Sequence, residues 1–107
     1  MKNLLIALLA FAASQQAYSA SALSEVRVSD DILYFATSEK QAAADSCVLA
    51  ENNGIWAISM NSSTGKNAYT ALMTAAASGQ KITVVSAKDC ADKAGFERPA
   101  SIAVSSN

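Results

Sequence analysis

Two cysteines, Cys47 and Cys90, are the side chains of this 107-residue chain with the most specific chemistry. A zinc site needs four ligands of the Cys or His type, and the chain contains no histidine. Two isolated cysteines cannot complete that coordination sphere, so we expect no metal and no cofactor. We predict a Cys47–Cys90 disulfide, with a reactive thiol as the alternative. By the chain-entropy model, closing a loop of more than forty residues contributes about 4 kcal/mol.

Acidic residues are the other candidates for chemistry, because without histidine acid–base catalysis would need two carboxylates in a shared pocket. The acids stand instead in predicted loops and turns, where we expect solvated side chains: Asp30, Asp31, Asp45, Glu51, Asp89, Asp92 and Glu97. Serines are plentiful, but no activating base or Gly-x-Ser-x-Gly motif accompanies them. We therefore predict no catalytic residue and a protein that is not an enzyme.

Residues 62–66, Ser-Ser-Thr-Gly-Lys, have the composition of a phosphate-binding loop but not its spacing. Such a loop reads Gly-x-x-x-x-Gly-Lys-Ser/Thr, whereas here the first glycine is missing and Asn67 replaces the last hydroxyl residue. Hydroxyls at this position can instead accept hydrogen bonds from the first amides of a helix. We predict that this segment caps a helix.

The N-terminus has the pattern of a secretory signal peptide, since Lys2 gives a positive start and residues 4–13 are uninterruptedly apolar. About ten apolar residues are too few to span a bilayer, which takes about twenty, but they match the hydrophobic region of a signal. We predict a signal peptide over residues 1–22, cut after Ala22, with a cut after Ser19 as the alternative. The other interpretation of this stretch is an N-terminal helix of the folded domain.

The remaining residues, 23–107, are expected to form one small domain in the periplasm or outside the cell. A chain of about 85 residues buries roughly 60 to 65% of its unfolded surface and is only marginally stable without a disulfide. The net charge is −1 and no cluster of Lys or Arg is present, which argues against a nucleic-acid partner. No second apolar run approaches membrane-spanning length, so we expect no membrane span after signal removal.

Alternating and β-branched runs predict five strands. Two β-prone runs separated by Ser-Asp-Asp within residues 26–37 predict a hairpin whose second strand is apolar on both faces. Residues 55–60 follow the turn signal Asn-Asn-Gly, and residues 81–87 and 101–105 predict two further strands. The side chains expected to face inward are Trp56, Ile58, Met60, Ile102 and Val104, and in the fourth strand Ile82 and Val84 alternate with Thr83 and Val85.

One helix is predicted over residues 66–78, which are rich in alanine, lack proline and glycine, and end at Gly79. Its apolar arc is wider than a helix on a single sheet needs. We therefore predict that the helix also contacts another copy of the chain, unless its alanines are simply tolerated at the surface. The candidate interface residues are Ala68, Leu72, Ala75 and Ala76. The predicted fold is mainly β with one helix (α+β), in the order β-β-β-α-β-β.

This pattern resembles the B subunits of subtilase cytotoxin and pertussis-like toxins over residues 47–104. The resemblance lies in the two cysteines, the tryptophan strand, and a Tyr-x-x-Leu-x-x-Ala helix that ends in glycine and a β-run. It implies a five-stranded OB-like Greek-key barrel plugged by the helix. It also implies a five-membered ring with the helices around a pore, and binding of cell-surface glycans. No sugar-contacting residue matches position by position, so the ligand-binding residues stay unassigned.

Three functions follow from these observations. The first is an exported, non-catalytic binding module, resembling a toxin B subunit, that recognises a glycan or a protein and forms a homo-oligomer. The second is a structural or inhibitory periplasmic protein whose barrel edge or helix face docks on one protein partner. The third, a small secreted enzyme, lacks a nucleophile and a base at usable spacing.

Overall fold

The computed structural model describes residues 20–40 and 45–105. The strands are β1 (Ser21–Ser29), β2 (Ile32–Thr37), β3 (Ile55–Ser59), β4 (Lys81–Ser86) and β5 (Pro99–Ser105), with helix α1 (Ser63–Ser78) between β3 and β4. A 3-10 turn spans Ala50–Asn52. This is the predicted mainly β fold with one helix and the predicted element order. Within the described ranges, no helix is long and apolar enough to cross a membrane.

The five strands form one sheet in the order β3-β2-β1-β4-β5, with antiparallel pairing between neighbours. A parallel bridge joins Trp56 of β3 to Glu97, just before β5. There the Ala57 N–H donates to the Glu97 carbonyl at 2.9 Å. This bridge brings the two ends of the sheet together, and the strands form the five-stranded OB-like Greek-key barrel.

The inner face of the sheet, which packs on α1, carries the hydrophobic core. Leu33 and Phe35 of β2 lie opposite Ile58 and Trp56 of β3, and the Phe35 and Trp56 rings stack 6.3 Å apart. The predicted inward residues are confirmed, because strand alternation places them on this one face. Buried core residues are Leu33, Phe35, Trp56, Ile58, Ala68, Leu72, Ala75, Ile82 and Val84, with Met60, Ile102 and Val104 partly buried against them.

Helix α1 has the predicted caps. The Ser62 Oγ accepts a hydrogen bond from the Gly65 N–H at 3.0 Å, and Gly79 ends the helix in the left-handed region at φ 69°. The helix begins three residues before the predicted start and includes Gly65 in its first turn. Gly65 is buried against the end of β3, where an added Cβ would overlap the Ser59 carbonyl. Glycine therefore allows the helix to leave β3 at close range.

Strand β1 begins at Ser21, inside the segment predicted as the signal peptide. Ser21 and Ala22 pair with the first residues of β4, and the Ser21 Oγ lies 3.0 Å from the Ser38 Oγ. A cut after Ala22 would remove both residues from the sheet, whereas the alternative cut after Ser19 would keep them. The signal peptide predicted over residues 1–22 lies outside the described ranges except for Ala20, Ser21 and Ala22, and its cleavage position stays a prediction.

The outer face of β2 and β3 is covered as well, which confirms the prediction for a strand with apolar residues on both sides. Tyr34, Ala36 and Ala57 are buried on this face. The Phe96 ring stands edge-on to the Tyr34 ring, with 5.1 Å between centroids. The Arg27 guanidinium lies 4.2 Å from the centre of the Tyr34 ring. On this face the buried Tyr34 is therefore contacted by Arg27 of β1 and by Phe96 of a loop, and not by a helix.

Candidate functional site

The predicted disulfide is present: Cys47 and Cys90 are bonded, with 6.1 Å between their Cα atoms and a sequence separation of 43 residues. It joins the loop of residues 45–54 to the loop of residues 87–98, and Cys47 is exposed. The first loop also donates two hydrogen bonds of 3.0 Å to the Gly95 carbonyl. In the described parts of the chain there is no free cysteine and no group of three potential metal ligands. The cysteines therefore hold two loops together.

Two of the acids predicted to be solvated have partners in the protein instead. Both oxygens of Asp89 accept hydrogen bonds from Arg98, through Nε and Nη2 at 2.8 Å each. The Asp92 Oδ2 accepts from the Ser59 N–H at 2.8 Å. For Glu97 the prediction of a solvated side chain is wrong, because the residue is only 5% exposed beside β3. The Asp89–Arg98 pair joins the two ends of the loop of residues 87–98, and the Asp92 contact holds this loop against β3.

The Asp89–Arg98 pair shifts the pKa values of both groups. The side-chain hydrogen bonds from Arg98, followed by the backbone N–H of Ala91, lower the pKa of Asp89 from 3.8 to about 2. The hydrogen bond to Asp89 raises the pKa of Arg98. A carboxylate with so low a pKa stays ionised at neutral pH and is a poor general acid or base. The pair is therefore suited to holding the loop and not to catalysis.

A groove between β5 and the start of α1 is the candidate functional site. Its volume is about 280 Å³, near the lower end of the range for ligand pockets. It lies just past the Trp56–Glu97 bridge between β3 and the chain leading into β5. Beyond that bridge β5 pairs with β4, and Ile58 of β3 lies at the base of the gap.

Helix α1 supplies one wall of the groove through Thr64, Asn67, Ala68 and Ala71. Their spacing of three and four residues places them on one helix face. The side chains of Thr64 and Asn67 make no hydrogen bond with another described residue, so their polar groups are available to a ligand. Other hydroxyls of α1 instead donate to the carbonyl four residues earlier: those of Thr70, Thr74 and Ser78.

Strand β5 supplies the opposite wall through four consecutive residues, 99–102. Successive side chains of a strand point to opposite faces. A groove lined by four residues in a row therefore runs along the edge of the strand, where backbone N–H and C=O groups project at alternate residues. Among the described strands, β4 is the neighbour of β5, and nothing pairs with this second edge.

The groove carries no charge, since none of the nine residues that line it has an ionisable side chain. Strand β5 is also uncharged throughout its sequence Pro-Ala-Ser-Ile-Ala-Val-Ser. Free edges in natural proteins are usually protected by lysines, prolines or bulges. Here Pro99 and a register irregularity protect only the start of the strand. Within the groove, the edge of residues 100–102 is therefore unpaired by any described strand and open to pairing.

The predicted oligomer-interface residues divide between the core and the surface. Ala68, Leu72 and Ala75 are 8%, 0% and 1% exposed, because they pack against the sheet of the same chain. Ala76 is exposed, and Tyr69, on the same helix, is 37% exposed. A second copy could therefore use Ala76 and the outward face of α1, but not the three buried residues. The oligomer itself stays a prediction.

The sequence analysis did not assign the groove residues to a binding site, although two signals were present. Asn67 and Ala71 continue the helix face of Ala68, and the last predicted strand contains no charged residue. What the pattern could not show is that this strand lies beside the start of the helix. Comparison of the chain with protein-family models, with curated proteins and with solved structures finds no match, so the resemblance to toxin B subunits stays a prediction.

Proposed function

We propose that this protein is an exported, non-catalytic binding module that holds an uncharged ligand in the groove between α1 and β5. One observation carries the proposal: an unpaired strand edge faces a neutral helix wall across a concave gap. Concave sites with small apolar residues and a few polar groups are typical of ligand binding. Because the nine lining residues include no ionisable group, the groove offers no acid, base or activated nucleophile.

Export is supported by the Cys47–Cys90 disulfide together with the signal-like N-terminus. Disulfides persist in the periplasm and outside the cell and are rare in the cytosol, where thiols are kept reduced. This one lies at the surface, where Cys47 is exposed to reductants. We therefore place the working protein in the periplasm or outside the cell, with its N-terminus at Ala20 after cleavage behind Ser19.

The location of the protein is tested by the mass of the chain recovered from the periplasm and the medium of an expressing bacterium. We expect a species that begins at Ala20 and contains no free thiol. A full-length chain confined to the cytosol would contradict export, and a species beginning at Leu23 would contradict the proposed cleavage position alone.

Binding is tested by NMR titration of the ¹⁵N-labelled, exported protein with neutral monosaccharides, disaccharides and capped tripeptides. We expect at least one probe to shift the backbone amides of residues 67–71 and 100–102. The Ala71→Leu variant fills the groove and should lose these shifts. Ala77→Leu adds the same side chain to an exposed part of α1 and should keep them. If no probe shifts these amides at millimolar concentration, the groove is not a ligand site and the proposal fails.

A homo-oligomer, which the toxin resemblance implies, is a separate proposal supported by the exposed, uncharged part of α1 around Ala76. Light scattering of the exported protein measures it directly. We expect a ring-sized particle that becomes a monomer in the Ala76→Glu variant. A monomeric wild-type protein would overturn this assembly without affecting the groove.

A further inference from the structure

We infer that the groove accepts an extended, uncharged peptide segment of a protein partner, which pairs with the free edge of β5 as an additional strand. The inference rests on the proposed function and specifies its ligand. Strand addition obtains affinity from main-chain hydrogen bonds and specificity from spaces that accept alternate side chains. The two walls of the groove supply these two features.

The strand wall supplies the hydrogen-bonding groups. At about 3.3 Å per residue, residues 99–102 give an edge of roughly 13 Å, enough to pair with about four residues of a partner. Among the described residues, the last backbone hydrogen bond from β3 on this side is the one of 2.9 Å from the Ala57 N–H to the Glu97 carbonyl. From Pro99 onward, no described strand occupies the place beside β5.

The helix wall supplies the space for side chains. Ala68 and Ala71 are small, and the buried Ile58 forms the base between them and β5. Every second residue of an added strand points to the same side, so alternate partner residues would face this wall. Thr64 and Asn67 stand at one end of it with free polar groups that can hydrogen-bond to the partner.

Charge and shape favour a peptide over the other possible occupants. The lining is uncharged, so an occupant with uncharged side chains needs no buried counter-charge. A strand repeats its backbone donors and acceptors at the same two-residue interval as the free edge of β5, which a sugar does not. A second folded copy would bring its own α1 along the same edge of β5, whereas a loose segment of chain carries no such flanking helix.

The first experiment uses a displayed library of random heptapeptides without charged residues, selected on the exported, disulfide-bonded protein. Enriched sequences are synthesised with capped ends, and their affinities are measured by fluorescence polarisation. We expect Ala71→Leu and Ser101→Lys each to weaken binding tenfold or more. Ala77→Leu and Ser105→Lys place the same side chains outside the groove lining and should change affinity less than twofold. Circular dichroism shows whether each variant is folded.

The second experiment tests the backbone pairing directly, by N-methylation of each residue of the best peptide in turn. Methylation removes one N–H donor, and only alternate N–H groups of a strand point to a given neighbour. We expect affinity to fall tenfold or more at every second residue and to change little at the residues between. A uniform response along the peptide would overturn strand addition.

The remaining outcomes separate this inference from the proposed function. If a sugar shifts the groove amides and no heptapeptide binds, the peptide inference is overturned and the binding module stands. If neither class of probe shifts them, both are overturned. Peptide binding that Ala71→Leu and Ser101→Lys leave unchanged would place the site elsewhere and overturn the inference. Self-association in analytical ultracentrifugation that Ser101→Lys abolishes would identify a second copy as the occupant, and would also overturn it.

Discussion

The inner and outer faces of β2 and β3 are both buried, but by different means. On the inner face, Leu33 and Phe35 pack against a regular helix whose Leu72 is fully buried. On the outer face, Tyr34 is covered by Phe96, which belongs to an irregular loop. The difference shows how a small domain can bury a second sheet face without a second helix: it uses two loops and fastens them to each other.

The Cys47–Cys90 disulfide between the two loops is needed because the loops bury little apolar surface of their own. Leu49 approaches Gly95 of the other loop and is still 51% exposed. Ordering a backbone costs about 1–2 kcal/mol per residue, and these loops have few apolar contacts to offset that cost. The Cys47–Cys90 bond removes part of the cost by restricting the unfolded chain. The inner face thus depends on packing and the outer face on a covalent bond.

The largest effect is expected from damage to the inner face. Leu72 is 0% exposed in the core, so Leu72→Ala should lower the free energy of unfolding by about 3–5 kcal/mol through lost burial and a cavity. Urea denaturation measures the loss. Leu49→Ala removes the same atoms from a half-exposed loop site and should cost well under 1 kcal/mol. Similar losses in the two variants would remove the distinction between the faces.

The next largest effect is expected from opening the outer face with the double variant Cys47→Ser, Cys90→Ser. Loss of a disulfide of this loop length should reduce stability by about 2–4 kcal/mol and lower the melting temperature. Heteronuclear NOE measurements should show new motion in residues 45–54 and not in α1. An unchanged melt would mean that the loops hold themselves in place, and motion spread equally through α1 would mean that both faces depend on the bond.

The contacts on the inner face were more predictable from the sequence than the contacts on the outer face. Leu33, Phe35, Trp56 and Ile58 were predictable because strand alternation is a local pattern. The caps of α1 were predictable because serine and glycine at helix ends satisfy local backbone groups. The contact of Phe96 with Tyr34, the pairing of Asp89 with Arg98 and the burial of Glu97 depend on the path of a loop with no periodic pattern.

The candidate site was only partly predictable for a related reason. Ala68 was recognised as part of an apolar helix face but assigned to contact with another copy, whereas it is buried in its own chain and lines the groove. The groove lies past the Trp56–Glu97 bridge, where β5 pairs only with β4 among the described strands. Strand order in a sheet is set by the whole fold. The local sequence of residues 99–102 therefore does not indicate that one edge of this strand has no described neighbour.

A third prediction concerns how closely α1 packs against the end of β3 on the inner face. Alanine is a better helix former than glycine by about 1 kcal/mol, so helix propensity alone predicts that Gly65→Ala stabilises α1. In the structure the new methyl group would overlap the Ser59 carbonyl, and we expect instead a loss of about 1–3 kcal/mol from overpacking. Ser63→Ala, at an exposed position of the same turn, should change stability by less than about 0.5 kcal/mol. A stabilising Gly65→Ala would show that α1 is free to move away from β3.

The smallest effect is expected from the Asp89–Arg98 pair, which joins the two ends of one loop and whose side chains are 40% and 31% exposed, so that solvent weakens it. The folded-state pKa of Asp89 is about 2, below its usual 3.8. Its contribution is therefore complete above the unfolded value and is lost as the pH falls through about 2. Asp89→Asn should lower the melting temperature slightly at pH 7, and the difference from wild type should disappear between about pH 4 and 2. The matched change Glu51→Gln, at an exposed position in the 3-10 turn of the other loop, should leave the melting temperature at pH 7 unchanged. If the Asp89→Asn difference persisted unchanged at pH 2, the ionised carboxylate would not be what joins the two ends of this loop through Arg98.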